Sequence, residues 1–109
     1  MAVTINYLYP STSAATLPNS SSYNMVVATV IATAAADTSA VITHNFNLSA
    51  ATITQGRPLL VITPEDANSI TSPWYEASEA PNYTVLQKST TAAGGQVKVN
   101  ISHPHSITR

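Results

Sequence analysis

Val97, Val99 and Ile101 alternate with Lys98, Asn100 and Ser102, and this period of two constrains the chain more than any other feature. A strand patterned this way has one apolar face, which must lie against another layer. Shorter runs of the same character precede it. Val3, Ile5, Tyr7 and Tyr9 alternate with Thr4, Asn6 and Leu8 up to Pro10. Tyr23 to Thr33 is apolar on both parities, as in a strand buried on both faces or at a sheet centre. Its density of Val and Ile argues against continuing Ala34 to Ala36 as a helix. Ala40 to Phe46 puts Ile42, His44 and Phe46 on one face. Pro58 to Thr63 reads as a core strand, Trp74 to Ser78 as another, and Tyr83 to Lys88 as a further one with Tyr83, Val85 and Gln87 on one face.

The connections are rich in Pro, Gly, Ser and Asn. Asn47 or Ser49 can cap a short helix over 50–55, with Gly56 at its C-terminal end. Glu65 to Ser72 reads as a polar loop. Thr90 to Gly95 reads as a hairpin connection in which Gly94 and Gly95 take positive φ. About seven strands with at most one short helix predict an all-β single domain, a β-sandwich or small barrel. Residues 1–22 form a first strand and a loop or arm, and 23–109 form the sandwich core.

Only 8% of the 109 residues are charged, against roughly 25% in an ordinary soluble domain. With 16 Ala, 13 Ser and 15 Thr, the surface must consist largely of methyl and hydroxyl groups, which are readily desolvated on association. Two lysines cannot guard every sheet edge, so either the sheet closes on itself or neighbouring chains cover the edges; the low-charge surface favours the second, with the residues before Tyr23 as a candidate arm packing against a neighbour. A homo-oligomer is the expectation. Without cysteine, the fold rests on packing and hydrogen bonds. Arg57, Lys88, Lys98 and Arg109 are scattered, which argues against a nucleic-acid partner. No apolar run approaches the ~20 residues of a membrane span, so no membrane partner is expected. Met1 to Asn6 lacks the pattern of a secretory leader, and synthesis and folding in a cytoplasm are expected.

Little in the chain points to chemistry. His44, His103 and His105 are three imidazoles without a known ligand spacing, so hydrogen-bonded or surface histidines are the favoured reading and no metal or cofactor is expected. Glu76 and Glu79 beside Trp74 and Tyr75 have the residue types of a glycosidase pair, but read as solvated loop carboxylates, as do Glu65 and Asp66. No nucleophile elbow or phosphate-binding glycine loop occurs, and a non-enzyme is expected. The candidate interaction residues are the aromatics Tyr7, Tyr9, Trp74, Tyr75 and Tyr83. An exposed Trp74 with Tyr75 or Tyr83 would make a stacking platform for sugars.

The stretches Asp37 to Phe46, Pro58 to Pro64, Trp74, Val85 to Lys88 and Ser102 to Ser106 resemble small virion structural proteins of tailed bacteriophages. That resemblance implies a capsid decoration or cement protein in the virion, made in the host cytoplasm. It would bind the outside of a shell of major capsid protein, commonly as a small symmetric oligomer. A tail or fibre component, or a glycan-binding host-attachment module, is the alternative. The family carries no catalytic residues to transfer.

Overall fold

The computed structural model describes residues 3–9, 25–34, 38–55, 57–90 and 94–103. Seven strands form two antiparallel sheets. The strands are β1 (Thr4–Tyr9), β2 (Met25–Ile31), β3 (Ser39–Thr43), β4 (Leu59–Pro64), β5 (Trp74–Glu79), β6 (Tyr83–Lys88) and β7 (Gln96–Ser102). Two short helices, α1 (Ala50–Gln55) and α2 (Ala67–Thr71), precede and follow β4. One sheet has the order β1-β2-β7-β4 and the other β3-β6-β5. The all-β class and the seven strands are those expected, with a second helical turn where a plain loop was predicted.

The sheets meet over one core. Val26 and Val30 of β2 and Val97, Val99 and Ile101 of β7 face Ala40 and Ile42 of β3, Leu86 of β6 and Trp74 of β5. β7 buries the three residues its alternation marked out, and leaves Lys98, Asn100 and Ser102 on the outer face. Two polar contacts link the sheets along their sides. The Tyr7 hydroxyl on β1 accepts the Thr43 N–H of β3 at 2.9 Å, and Arg57 before β4 pairs with Glu76 of β5.

Several expectations change for identifiable reasons. Pro58 to Thr63 is not a core strand: β4 is a sheet edge, and only Leu60 and Ile62 turn inward, while Leu59 is 66% exposed. A continuous apolar run looks buried on both faces, but pleating gives each face only alternate residues. β2 lies centrally, as expected, with one face buried and the other half-buried. β3 ends at Thr43 rather than Phe46, because Asn45 and Asn47 adopt left-handed φ of 54° and 58°, which Asn tolerates better than branched residues. Burial of His44, Phe46 and Leu48 still alternates through this irregular stretch.

The connection after β6 is not a hairpin, since β6 and β7 belong to different sheets. Gly94 and Gly95 do take positive φ, and Gly94 has a second role in close approach. A Cβ on Gly94 would sit 2.8 Å from the Asn68 side-chain nitrogen of α2. The arm at 10–22, Gly56, His105 and the rest of residues 104–109 lie outside the described residues. β1 itself pairs with β2 of its own chain.

Helix α2 starts on a capping box. The Asp66 carboxylate accepts the Ser69 N–H at 2.8 Å, and Ser69 Oγ accepts the Asp66 N–H. That bond from the Ser69 backbone, more than any other influence, holds the Asp66 carboxyl below its ordinary value of 3.8. A depressed folded-state value makes the cap's ionic contribution complete above 3.8, and it is lost as pH falls through the folded value. Asp66→Ala is expected to cost about 1 kcal/mol at neutral pH. Urea melts at pH 7 and pH 3 check this: the cost should shrink at the lower pH, and an unchanged or larger cost would refute the ionic cap.

Candidate functional site

The concentration of polar chemistry lies at one end of the three-stranded sheet. His44, just past β3, has both ring nitrogens engaged: Nδ1 accepts the Phe46 N–H at 3.2 Å, and Nε2 stands 2.7 Å from Glu79 Oε2. An accepting Nδ1 leaves the proton on Nε2, so His44 donates to Glu79. The other Glu79 oxygen accepts the Thr84 hydroxyl at 2.7 Å. His44 and Thr84 are fully buried, and the Glu79 side chain is only 2% exposed. The imidazole stacks on Phe46, with centroids 4.4 Å apart and planes at 16°. Phe46 in turn lies 6.3 Å from the ring of His103.

Backbone bonds hold the His44 segment in place. The Asn82 carbonyl accepts the N–H groups of both His44 and Asn45, the Pro81 carbonyl accepts that of Leu48, and Asn82 Oδ1 accepts that of Asn47. The β5–β6 turn thereby fixes the imidazole opposite the carboxylate.

Glu76 joins the cluster from the same strand. It pairs with Arg57. Burial chiefly, and then the neighbouring Glu79 carboxyl, push its own carboxyl above the usual range, while Arg57 opposes the shift. Residues three apart on a regular strand face opposite ways. A bulge between Glu76 and Ser78 inserts one residue and turns both glutamates inward. Their expected place as solvated loop carboxylates is therefore corrected: they lie on β5, and Glu79 is buried. Glu65 and Asp66 are exposed, as read, with Asp66 serving as a helix cap.

The arrangement superficially contains a base, an acid and a hydroxyl, but the roles do not connect. Thr84 donates to the carboxylate rather than to the imidazole, so nothing activates it as a nucleophile. With its three central groups sealed from solvent, the cluster acts as an internal brace joining the β3 end, β5 and β6. His44 commits both nitrogens within it, and no group of three candidate metal ligands occurs among the described residues.

The candidate interaction residues divide by face. Trp74 is 3% exposed and belongs to the core, which removes it from any stacking platform. Trp74 and Tyr75 are adjacent aromatics of opposite parity, which gives no sequence signal of which one turns inward. Tyr7 turns inward to bridge the sheets, and Tyr9, beyond a bulge after Tyr7, is 47% exposed. Tyr75 and Tyr83 lie on the outer face of the three-stranded sheet, 47% and 42% exposed. Tyr75 pairs with Gln87, four residues from Tyr83 along β6, so the backbones of the two tyrosines stand roughly 14 Å apart. Between them lie Val85 and its β3 partner, the exposed Val41.

That outer face carries no charged side chain. Ser39, Val41 and Thr43 of β3, Tyr83, Val85 and Gln87 of β6, and Tyr75 and Ser78 of β5 make it up. The charged residues of these strands, Glu76, Glu79 and Lys88, are turned inward, Lys88 Nζ lying 3.4 Å from the Ala34 carbonyl oxygen. On the four-stranded sheet, a shallow groove of about 330 Å³ runs along β4 and β7, lined by Leu59, Val61, Thr63, Lys98, Asn100 and Ser102. No helix among the described residues is long and apolar enough to cross a membrane. Comparison with protein-family models, with curated proteins and with solved structures finds no match to this chain.

Proposed function

We propose that this chain is a non-enzymatic structural module of a multi-copy assembly, and that its finer role is that of a decoration or cement protein seated on a viral capsid shell. The observation that carries the reading is the charge-free outer face of the three-stranded sheet, with Val41, Tyr75 and Tyr83 standing about half exposed. Desolvating such a face sacrifices little hydration, and aromatic anchors dominate the cores of protein interfaces. The buried brace of His44, Glu79 and Thr84 supports it by holding β5 and β6 rigid from below. The major capsid protein is the proposed partner. A tail or fibre surface would draw on the same face. A sugar-stacking role is disfavoured by the burial of Trp74 and the wide separation of Tyr75 from Tyr83.

Co-sedimentation of the purified chain with undecorated bacteriophage capsid shells tests this. Binding is expected to change little between ~0.05 and ~0.5 M salt, because few charges are available to screen. The double variant V41D/Y83D, which puts two carboxylates on the face, should weaken binding by at least about tenfold. A chain that stays in the supernatant with every shell, and is monomeric by light scattering, would sink the proposal.

A further inference from the structure

Among the described residues, three of the four sheet edges are blunted and the fourth is not. β1 carries a bulge after Tyr7, β5 carries one after Glu76, and β3 is only five residues long. Bulges and short strands discourage pairing with another chain. β4 pairs with β7 without a register shift, and no strand pairs with its other side among the described residues.

The groups on that open edge can be identified. The Glu65 N–H donates to the Gln96 carbonyl at 2.9 Å. Alternation along an antiparallel ladder then directs the main-chain groups of Thr63, Val61 and Leu59 to β7, and those of Leu60 and Ile62 outward. Pro64 falls at an outward position, where its missing N–H costs no ladder bond, and Pro58 occupies the next outward position before the strand. Leu60 and Ile62 therefore present a short pairing window bracketed by prolines.

From this edge we propose that two copies of the chain pair β4 to β4 about a two-fold axis at Val61, joining their four-stranded sheets into one. The inference rests on the assembly reading above and names its contact between copies. In this register Leu60 of one copy meets Ile62 of the other, giving roughly four main-chain hydrogen bonds. Pro58 meets Pro64, so the missing N–H groups fall together at each end of the window and leave the four bonds of the Leu60 and Ile62 pairs intact. Arg57 meets Glu65, a cation opposite an anion, and two-fold symmetry repeats the match. Arg57 is half exposed and its guanidinium has donors beyond the one given to Glu76, while exposed Glu65 takes only a Gln96 amide. Leu59, Val61 and Thr63 of both copies come together on the outer face beside the groove. Registers centred on Leu60 or Ile62 bring a proline opposite Ile62 or Leu60, inside the pairing window, and lose the charge match. Pairing of this kind uses each edge once and closes, so it does not propagate into fibres.

The chain has no cysteine, so single-cysteine variants report the register cleanly. Val61 faces itself at a non-hydrogen-bonded position, about 4.5 Å between Cα atoms, within disulfide reach. Thr63 lies roughly 13 Å from its symmetry mate. Mild oxidation of the full chain should convert Val61→Cys to a covalent dimer at least about tenfold faster than Thr63→Cys, read on a non-reducing gel. Val61→Lys, which opposes two like charges at the axis, should halve the mass seen by light scattering while leaving the thermal midpoint in place. If the parent chain is oligomeric but the two cysteine variants cross-link alike or not at all, the β4 pairing is overturned and the assembly reading stands. If the parent chain is monomeric and Val61→Cys does not cross-link, the pairing is overturned, and co-sedimentation with shells decides the assembly reading separately.

Discussion

Glu79→Ala is expected to lower the unfolding free energy by about 2–5 kcal/mol, because it leaves two buried donors without their acceptor at roughly 1–3 kcal/mol each. The carboxylate links the His44 Nε2–H to the Thr84 hydroxyl, and all three groups are shut away from water. Truncation leaves both donors facing a cavity too poorly solvated to replace the lost oxygens. Glu79→Gln is expected to fall between, because its amide oxygen accepts one of the two donors while its NH₂ confronts the other. Urea unfolding at neutral pH, followed by the fluorescence of buried Trp74, measures both. A loss under about 1 kcal/mol for the alanine variant would mean that the brace contributes nothing net.

Leu86→Ala is expected to cost about 2–5 kcal/mol. Leu86 is fully buried on β6, the central strand of its sheet, with Ala40 beside it on β3 and Glu76 on β5. Strands on both sides restrict collapse around the missing methyl groups, which places the loss toward the upper half of the range. Ile70→Ala is the matching control, since Ile70 is 69% exposed on α2, and should stay within about 0.5 kcal/mol. Against a typical total of 5–15 kcal/mol, the Leu86 variant should show a clearly lowered denaturant midpoint with an unchanged slope. Equal midpoints for the two variants would contradict the placement of the core.

Both losses bear on function in the same way. The proposed docking face is the outer surface of β3, β6 and β5, and its inner surface is held by Leu86 in the middle and by Glu79 at one end. Rigidity of a face before binding reduces the ordering cost of association.

The strands, and much of their facing, were legible in the sequence. The alternation through β7 marked the correct inward set, because a pleated strand between two media sorts its side chains by polarity, while in β6 the face shared by Tyr83, Val85 and Gln87 was legible but not that it turns outward. The short helix over 50–55 was legible as well, and the Ser49 carbonyl accepts the Ile53 N–H at its start. Gly94 and Gly95 announced positive φ, though not the approach to α2 that requires it.

Tertiary structure decided everything that depends on which strands become neighbours. The apolar run of β4 carries no mark of an edge, since an edge is defined by the absence of a partner, and that follows from β7 choosing β2 and β4 as its flanks. The brace at His44 was equally hidden. It joins residues 35 and 5 positions apart and exists only because a bulge resets the parity of β5. Local pattern records the medium each residue prefers, and it settled the class of fold and the strand faces. Which polar groups meet, and which edge stays open, are properties of long-range pairing, and no single segment of the chain encodes them.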